Sequence, residues 1–323
     1  MPDLMKRNPA IELYRVVLMY GICLFHAVVS CGHNISWVNN LLCPCVVGFV
    51  FVSGWFGVRF SWTKIVRLVG LAVLWATVAT VFEKYYMGVD GGLLAGIWRQ
   101  ATSYWFLNAY ILMMCMVPLV EQIDFNRWQA LVPFFLLVFG LGWLSHVNTF
   151  NSILPTLSGL EPFSGITLFG IYLVARVLRT KRIDERLTAS HAFLLFVLTG
   201  VAIAVFKFGS YNSPFAVVFA TLGFVLFSKI RVRPRLGRII LCLSPSMFAI
   251  YLLHVSHCGL TLMKTMEDNL IQNAVPIAVV YLLVAFAGFI PALCIDLLRR
   301  SVLSLISDKV YNLPSVFLKV IAK

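Results

Sequence analysis

Two ionisable residues stand inside the first apolar stretch of the chain, Arg15 and His26 in the segment RVVLMYGICLFH. They are eleven positions apart, about three turns of a helix, so one helix face would carry both, about 16 Å apart along the axis. Ionisable groups within a bilayer are costly, usually face the protein interior, and mark substrate or proton paths. Arginine offers a permanent planar cation for phosphate or carboxylate. Histidine, with a reference pKa of about 6.5, suits proton transfer near neutral pH, and covalent nucleophilic chemistry at its ring is also compatible. An extended donor with an anionic head would pair with Arg15 and bring its reactive end to His26. The same residues also fit a structural role, with Arg15 snorkelling to headgroups and His26 bonded to a neighbouring helix.

Other residues extend this stripe. Lys64 and Arg67 in RFSWTKIVRLV lie one turn apart, suited either to holding phosphates or to anchoring a basic inner loop. His254 falls near the middle of a late apolar stretch, with His257 one turn further on. It would orient an acceptor or assist proton transfer, or simply pack with its nitrogens satisfied. Glu83, Asp90 and Arg99, with Tyr85, Tyr86 and Trp98 nearby, read as an outer loop that either meets a polar ligand or is merely solvated. Trp105 lines a donor path or belongs to an interfacial aromatic belt. Ser53 and Gly54 suit close helix packing better than nucleophilic catalysis, since no Gly-x-Ser-x-Gly elbow is present. No metal is expected, because no carboxylate or cysteine stands at ligand spacing from the histidines. The eight cysteines include no Cys-x-x-Cys pair. Cys31, Cys43 and Cys45 flank the first outer loop, where a disulfide would fit.

The elements that must position these residues are transmembrane helices. The chain is 60% hydrophobic and only 12% charged, about half the charge of a soluble domain, with no repeat or low-complexity tract; it reads as one domain over 1–323. Continuous apolar runs argue for helices over the shorter alternating strands of a barrel. Runs near 11–31, 41–58, 66–86, 104–120, 128–146, 162–179, 190–207, 214–230, 242–262 and 275–297 give an all-α polytopic bundle of about ten spans, each about 20 residues. Lys6 and Arg7 precede the first run, but no small-residue cleavage site follows it, so it reads as a retained helix. With the N-terminus in the cytoplasm, 22 of the 26 basic residues fall on the inner side; Lys84, Arg99, Lys207 and Lys264 fall outside. That bias fixes both termini in the cytoplasm. It also removes nucleic acid as a partner, because the basic residues follow the membrane rather than one patch.

The stretch NPAIELYRVVLMYGICLFH resembles the opening helix of the membrane acyltransferase 3 family, whose Arg-x10-His motif is met by Arg15 and His26. FVFVSGWFG, YWFLNAYILMMCMVPLV, YNSPFAVVFATLGFVLF and SPSMFAIYLLH resemble further family segments, in family order, from about residue 8 to 260. Two departures are visible. Lys64 stands where the family often has the first arginine of an Arg-x-x-Arg pair, which keeps the charge and loses the fork. Ala249 replaces a glycine before Ile250 and Tyr251.

The resemblance implies an O-acyltransferase of a bacterial cell membrane. It would take an acyl group, commonly acetyl, from acyl-coenzyme A in the cytoplasm and pass it to a surface or secreted glycan, or a lipid-linked sugar, at the outer face. Arg15, Lys64, Arg67 and Trp105 would hold the donor, Arg15 and His26 would carry the transfer, and His254 and Glu83 would meet the acceptor. Relatives also occur in polysaccharide export, so a transporter of a polysaccharide or lipid-linked sugar is the alternative. The paired broken helices of an inverted-repeat carrier are not evident in the sequence.

Overall fold

In the computed structural model, residues 7–30, 35–144 and 162–321 are described, with side chains of the last segment as far as Ser304. Among them only helices and their connections occur. The first half contains α1 (Pro9–Ser30), α2 (Ser36–Leu42), α3 (Pro44–Phe56), α4 (Trp62–Tyr86), α5 (Leu93–Ser103) and α6 (Trp105–Val120). A composite helix follows over Phe125–Leu144, a 3-10 turn leading into α7 (Val132–Phe135), a π segment (Leu136–Leu141) and α8 (Gly142–Leu144). The second half contains α9 (Gly165–Thr180), α10 (Ile183–Arg186), α11 (Ala189–Phe206), α12 (Pro214–Ser228), α13 (Pro234–Leu243), α14 (Met247–His254), α15 (His257–Gln272) and α16 (Ile277–Ile321).

Local sequence explains several boundaries. The Asn8 carboxamide oxygen accepts from the Ala10 amide at 2.9 Å, and Pro9 takes the first helical position, where a missing N–H costs nothing. Pro44 likewise opens α3, and Gly57, at φ 67°, closes it in the left-handed conformation that glycine adopts without strain. The 60° bend between α5 and α6 falls at Tyr104. The chain breaks again after His254, where the Ser256 hydroxyl caps α15 by accepting from the Gly259 amide. A Cβ at Gly259 would lie 2.3 Å from the Leu253 carbonyl oxygen, so this tight break requires glycine.

Among the described residues, seven helices or helix pairs are long and apolar enough to cross a bilayer, and the bent α5–α6 pair makes an eighth. The expected ten also included α9 and α12, of 16 and 15 residues. These are about 24 and 22 Å long, short of a hydrocarbon core of about 30 Å. Both are largely buried among other helices, so their length is set by packing against protein rather than by lipid. The late span also differs from expectation. It runs over Pro234–His254 rather than 242–262, because the break at Val255 and Ser256 starts a separate helix. The last span starts at Ile277, and its helix runs on past 297 without a break.

α1 is the central helix, in contact with α2, α3, α12, α13, α14, α15 and α16. Its Tyr14 hydroxyl donates to the Ala220 carbonyl on α12 at 2.9 Å, and its Tyr20 hydroxyl to the Leu282 carbonyl on α16 at 3.2 Å. Small residues bring the backbones close. A Cβ at Gly54 would sit 2.6 Å from the Tyr172 carbonyl oxygen, so α3 and α9 touch backbone to backbone. Arg179 donates to the Trp55 carbonyl at 2.6 Å and Tyr172 to the Val58 carbonyl at 3.1 Å, tying the end of α3 to α9. By contrast α11 exposes Phe193, Leu194, Leu198, Val201 and Val205, the apolar outer surface of a helix that faces lipid rather than water.

Candidate active site

The predicted stripe on α1 opens into one cavity. Arg15 and His26 both line a space of about 930 Å³ whose wall also includes Ser53 of α3, Trp105 and Tyr110 of α6, and Phe248 and Tyr251 of α14. A volume of this order suits an organic ligand. Because α1 is continuous and central, the helical spacing that puts the two residues on one face also aims both into the same space.

At the Arg15 end, the guanidinium Nη1 pairs with Glu12 Oε2 at 3.2 Å, one turn earlier on α1, and Glu12 is itself buried. The cation is therefore held by a short internal pair while a third of its side chain stays open. Across the cavity, the Tyr110 hydroxyl donates to the Ser53 hydroxyl at 3.2 Å, and Ser53 donates to the Phe49 carbonyl at 3.1 Å. With its own proton turned into the helix, Ser53 is a packing and hydrogen-bonding residue.

At the other end, the His26 ring lies 5.2 Å from the His254 ring, centroid to centroid, edge to face. His254 is 2% exposed. It is the terminal residue of α14 rather than a mid-span residue, because the chain breaks directly after it. Its Nδ1 lies 2.7 Å from the Ile250 carbonyl oxygen. A carbonyl can only accept, so Nδ1 carries the proton and a neutral ring keeps its lone pair on Nε2. That Nε2 is buried and has no hydrogen-bond partner among the described residues. Two histidines far apart in sequence thus meet, His26 in the cavity wall and the buried His254 behind it, outside the lining where an acceptor-binding residue was expected.

Glu83 does not belong to an open outer loop. It lies within α4 and is 9% exposed. Its Oε1 accepts from the Cys258 amide at 3.0 Å and sits 3.5 Å from His257 Nδ1, while Gln100 Oε1 accepts from the His257 amide at 3.2 Å. Free N–H groups at a helix start carry partial positive charge. The Glu83 carboxylate satisfies the Cys258 amide and, with Gln100 and Ser256, fixes the start of α15. It does not line the cavity; nor do Tyr85, Tyr86, Trp98 or Arg99, and the expected loop is largely taken up by α5. Cys43 and Cys45 are free thiols, while Cys31 and Lys6 lie outside the described residues.

Lys64 and Arg67 are exposed near the start of α4 and line no part of the cavity. Leu68, one turn after Lys64, does line it. Lys64 therefore stands just beyond the wall on the same helix face, at a lip rather than inside. Trp105 is in the wall, stacked on Tyr211 at 5.4 Å with 19° between ring planes.

Beyond His26 the cavity continues between α2 and the turn that follows α11. Ser36, Asn39, Asn40, Lys207, Ser210 and Tyr211 line this mouth. The Asn40 side chain holds the turn, accepting from the Gly209 amide at 3.0 Å and donating to the Ser36 carbonyl at 2.7 Å. A Cβ at Gly209 would fall 2.0 Å from the Asn40 carbonyl oxygen, so only glycine fits there.

Glu12, Tyr110, Asn40 and Tyr211 escaped the reading of the sequence. Glu12 was accessible to it, since an acid three residues before Arg15 on one helix must share its face. The others come from elements whose neighbours are set by tertiary packing alone.

The family model of the acyltransferase domain (acyltransferase 3) matches residues 8–296, from just before α1 through the buried part of α16. Neither the curated proteins nor the solved structures gave a match to the chain.

Proposed function

The chain belongs to the acyltransferase 3 family, and on that premise we propose that it transfers an acyl group, most simply acetyl, from cytoplasmic acyl-coenzyme A to a hydroxyl of a surface or secreted glycan at the outer face of a bacterial cell membrane. The observation that carries this reading is one cavity lined by both Arg15 and His26. A thioester donor is long and anionic at one end, and the arm between head and acyl carbon suits the roughly 16 Å between those residues. Arg15 takes an anionic or amide group of the arm. Lys64 and Arg67, at the lip of α4, take phosphates of the nucleotide, and Trp105 flanks the acyl end.

In the transfer step the acceptor oxygen attacks the thioester carbonyl carbon. The new C–O bond forms as the C–S bond breaks. His26 takes the hydroxyl proton and returns it to the departing thiolate. His254, with Nδ1 committed to Ile250, keeps Nε2 free beside the His26 ring, an acceptor for a His26 N–H once that ring is protonated.

The test is acylation of surface glycans by strains carrying His26→Ala, with protein level checked in the membrane fraction. Loss of glycan acylation at normal protein level is expected; acylation at the parental level refutes the role of His26. Mass spectrometry of glycans from a deletion strain and its parent identifies the acyl group and acceptor together.

A further inference from the structure

We infer that the mouth around Lys207 is the acceptor subsite and that it selects a saccharide bearing an anionic group, a carboxylate or a phosphate. The inference rests on the proposed glycan acyl transfer, and adds to it both the place and the chemical class of the acceptor.

Three observations single out Lys207. It follows the last residue of α11 with φ 59° and ψ 39°, the left-handed conformation in which a helix end favours glycine or asparagine. A long side chain is kept there against backbone preference, and such outliers gather at ligand sites. Next, Lys207 is one of only four basic residues assigned to the outer side. Of the others, Lys264 pairs with Asp268 at 2.8 Å, and Lys84 and Arg99 do not line the cavity. Finally, Lys207 lines the cavity and takes part in none of the ion pairs among the described residues.

Its surroundings fit a sugar. Tyr211 is buried and stacked on Trp105, and Phe163, half exposed, meets Tyr211 edge to face at 5.3 Å. Aromatic faces carry negative quadrupole charge and so match the apolar, weakly positive C–H face of a pyranose ring. Asn39, Asn40 and Ser210 add amide and hydroxyl groups at the same mouth, suited to sugar hydroxyls. The mouth lies past the His26 end of α1, so a sugar held there presents a hydroxyl toward His26 while its anionic group meets the lysine ammonium.

The experiment uses the full chain in lipid nanodiscs. The fluorescence of cavity-lining Trp105 and Trp143 is followed during titration with a methyl hexuronide, a hexose 6-phosphate and the matching neutral methyl hexoside. A charge-assisted hydrogen bond predicts about 10- to 100-fold tighter binding of an anionic probe than of the neutral one. Lys207→Gly, which suits the left-handed backbone, is expected to bring that ratio close to one, and Lys207→Arg to keep most of it. Preference for the hexuronide alone identifies an acidic sugar, and preference for the phosphate alone identifies a phosphorylated or lipid-linked sugar; either supports the inference. Equal binding of all probes, no saturable binding of any, or a ratio that survives Lys207→Gly overturns it. The readout is independent of transfer. Anion preference in a protein that acylates no saccharide would sink the proposed reaction and leave the subsite standing.

Discussion

Replacing His254 with phenylalanine isolates a buried nitrogen that has no partner among the described residues. The phenyl ring keeps the volume and the edge-to-face contact with His26, now 5.2 Å between centroids. It removes the Nδ1–H bond to the Ile250 carbonyl, which still accepts within its helix, so the stability cost is about 1 kcal/mol. It also removes the Nε2 lone pair. If that lone pair orients His26 during proton transfer, the loss equals a hydrogen bond to a group that becomes charged, about 1.5–3 kcal/mol, or roughly 10- to 150-fold in rate. The acyl-coenzyme A KM should hold, because Arg15 and the lip of α4 lie at the other end of the cavity. The assay is release of free coenzyme A thiol and formation of acylated glycan in proteoliposomes. His254→Gln, whose amide oxygen also accepts, should recover part of the rate, a rescue that a packing role alone does not predict. A His254→Phe rate within about twofold of the parent, against the 1.36 kcal/mol per decade that links rate to barrier, would refute the pairing of the two histidines.

Further expectations are checked with the same preparations. Arg15→Gln should raise the acyl-coenzyme A KM by about 10- to 100-fold, the value of one charge-assisted bond, and Arg15→Lys should restore part of it; an unchanged KM removes Arg15 from the donor path. Lys64→Ala combined with Arg67→Ala should raise that KM several-fold, with the effect shrinking at high salt because both residues are exposed. Gly54→Ala would press a methyl group against the Tyr172 carbonyl at 2.6 Å and should cost about 1–3 kcal/mol by overpacking, seen as a lower melting temperature in detergent. Glu83→Gln weakens the clamp on the start of α15 and should increase proteolysis near Ser256 and His257 more than elsewhere; uniform susceptibility would place the clamp elsewhere.

The all-helical membrane architecture was legible because lipid imposes continuous apolar runs, and the Arg15–His26 stripe was legible because helical periodicity within one unbroken segment dictates it. What escaped was the position of breaks. Pro234–His254 reads as part of a basic loop at its start, since Arg235 and Arg238 lie in its first turns. Its end is set by Ser256 and Gly259, ordinary residues in an apolar run whose capping role appears only in three dimensions. The misplaced break put His254 mid-span. Glu83 was misread for a related reason. An acid near the end of an apolar run signals a loop, yet here it satisfies one amide of another helix start 175 residues away, a pairing with no local trace.

The backbone contact at Gly54 limits how this protein can move. Helices that shear past one another do so on interleaved side chains that exchange rotamers. Between α3 and α9 at Gly54 no such layer exists. A slip of one turn, about 5.4 Å, would bring Val50 in place of Gly54 against the Tyr172 carbonyl, where the contact at Gly54 already leaves no room for even a methyl group. The two helices therefore travel together as a fixed stator. A crosslink joining α3 to α9 should therefore leave turnover intact.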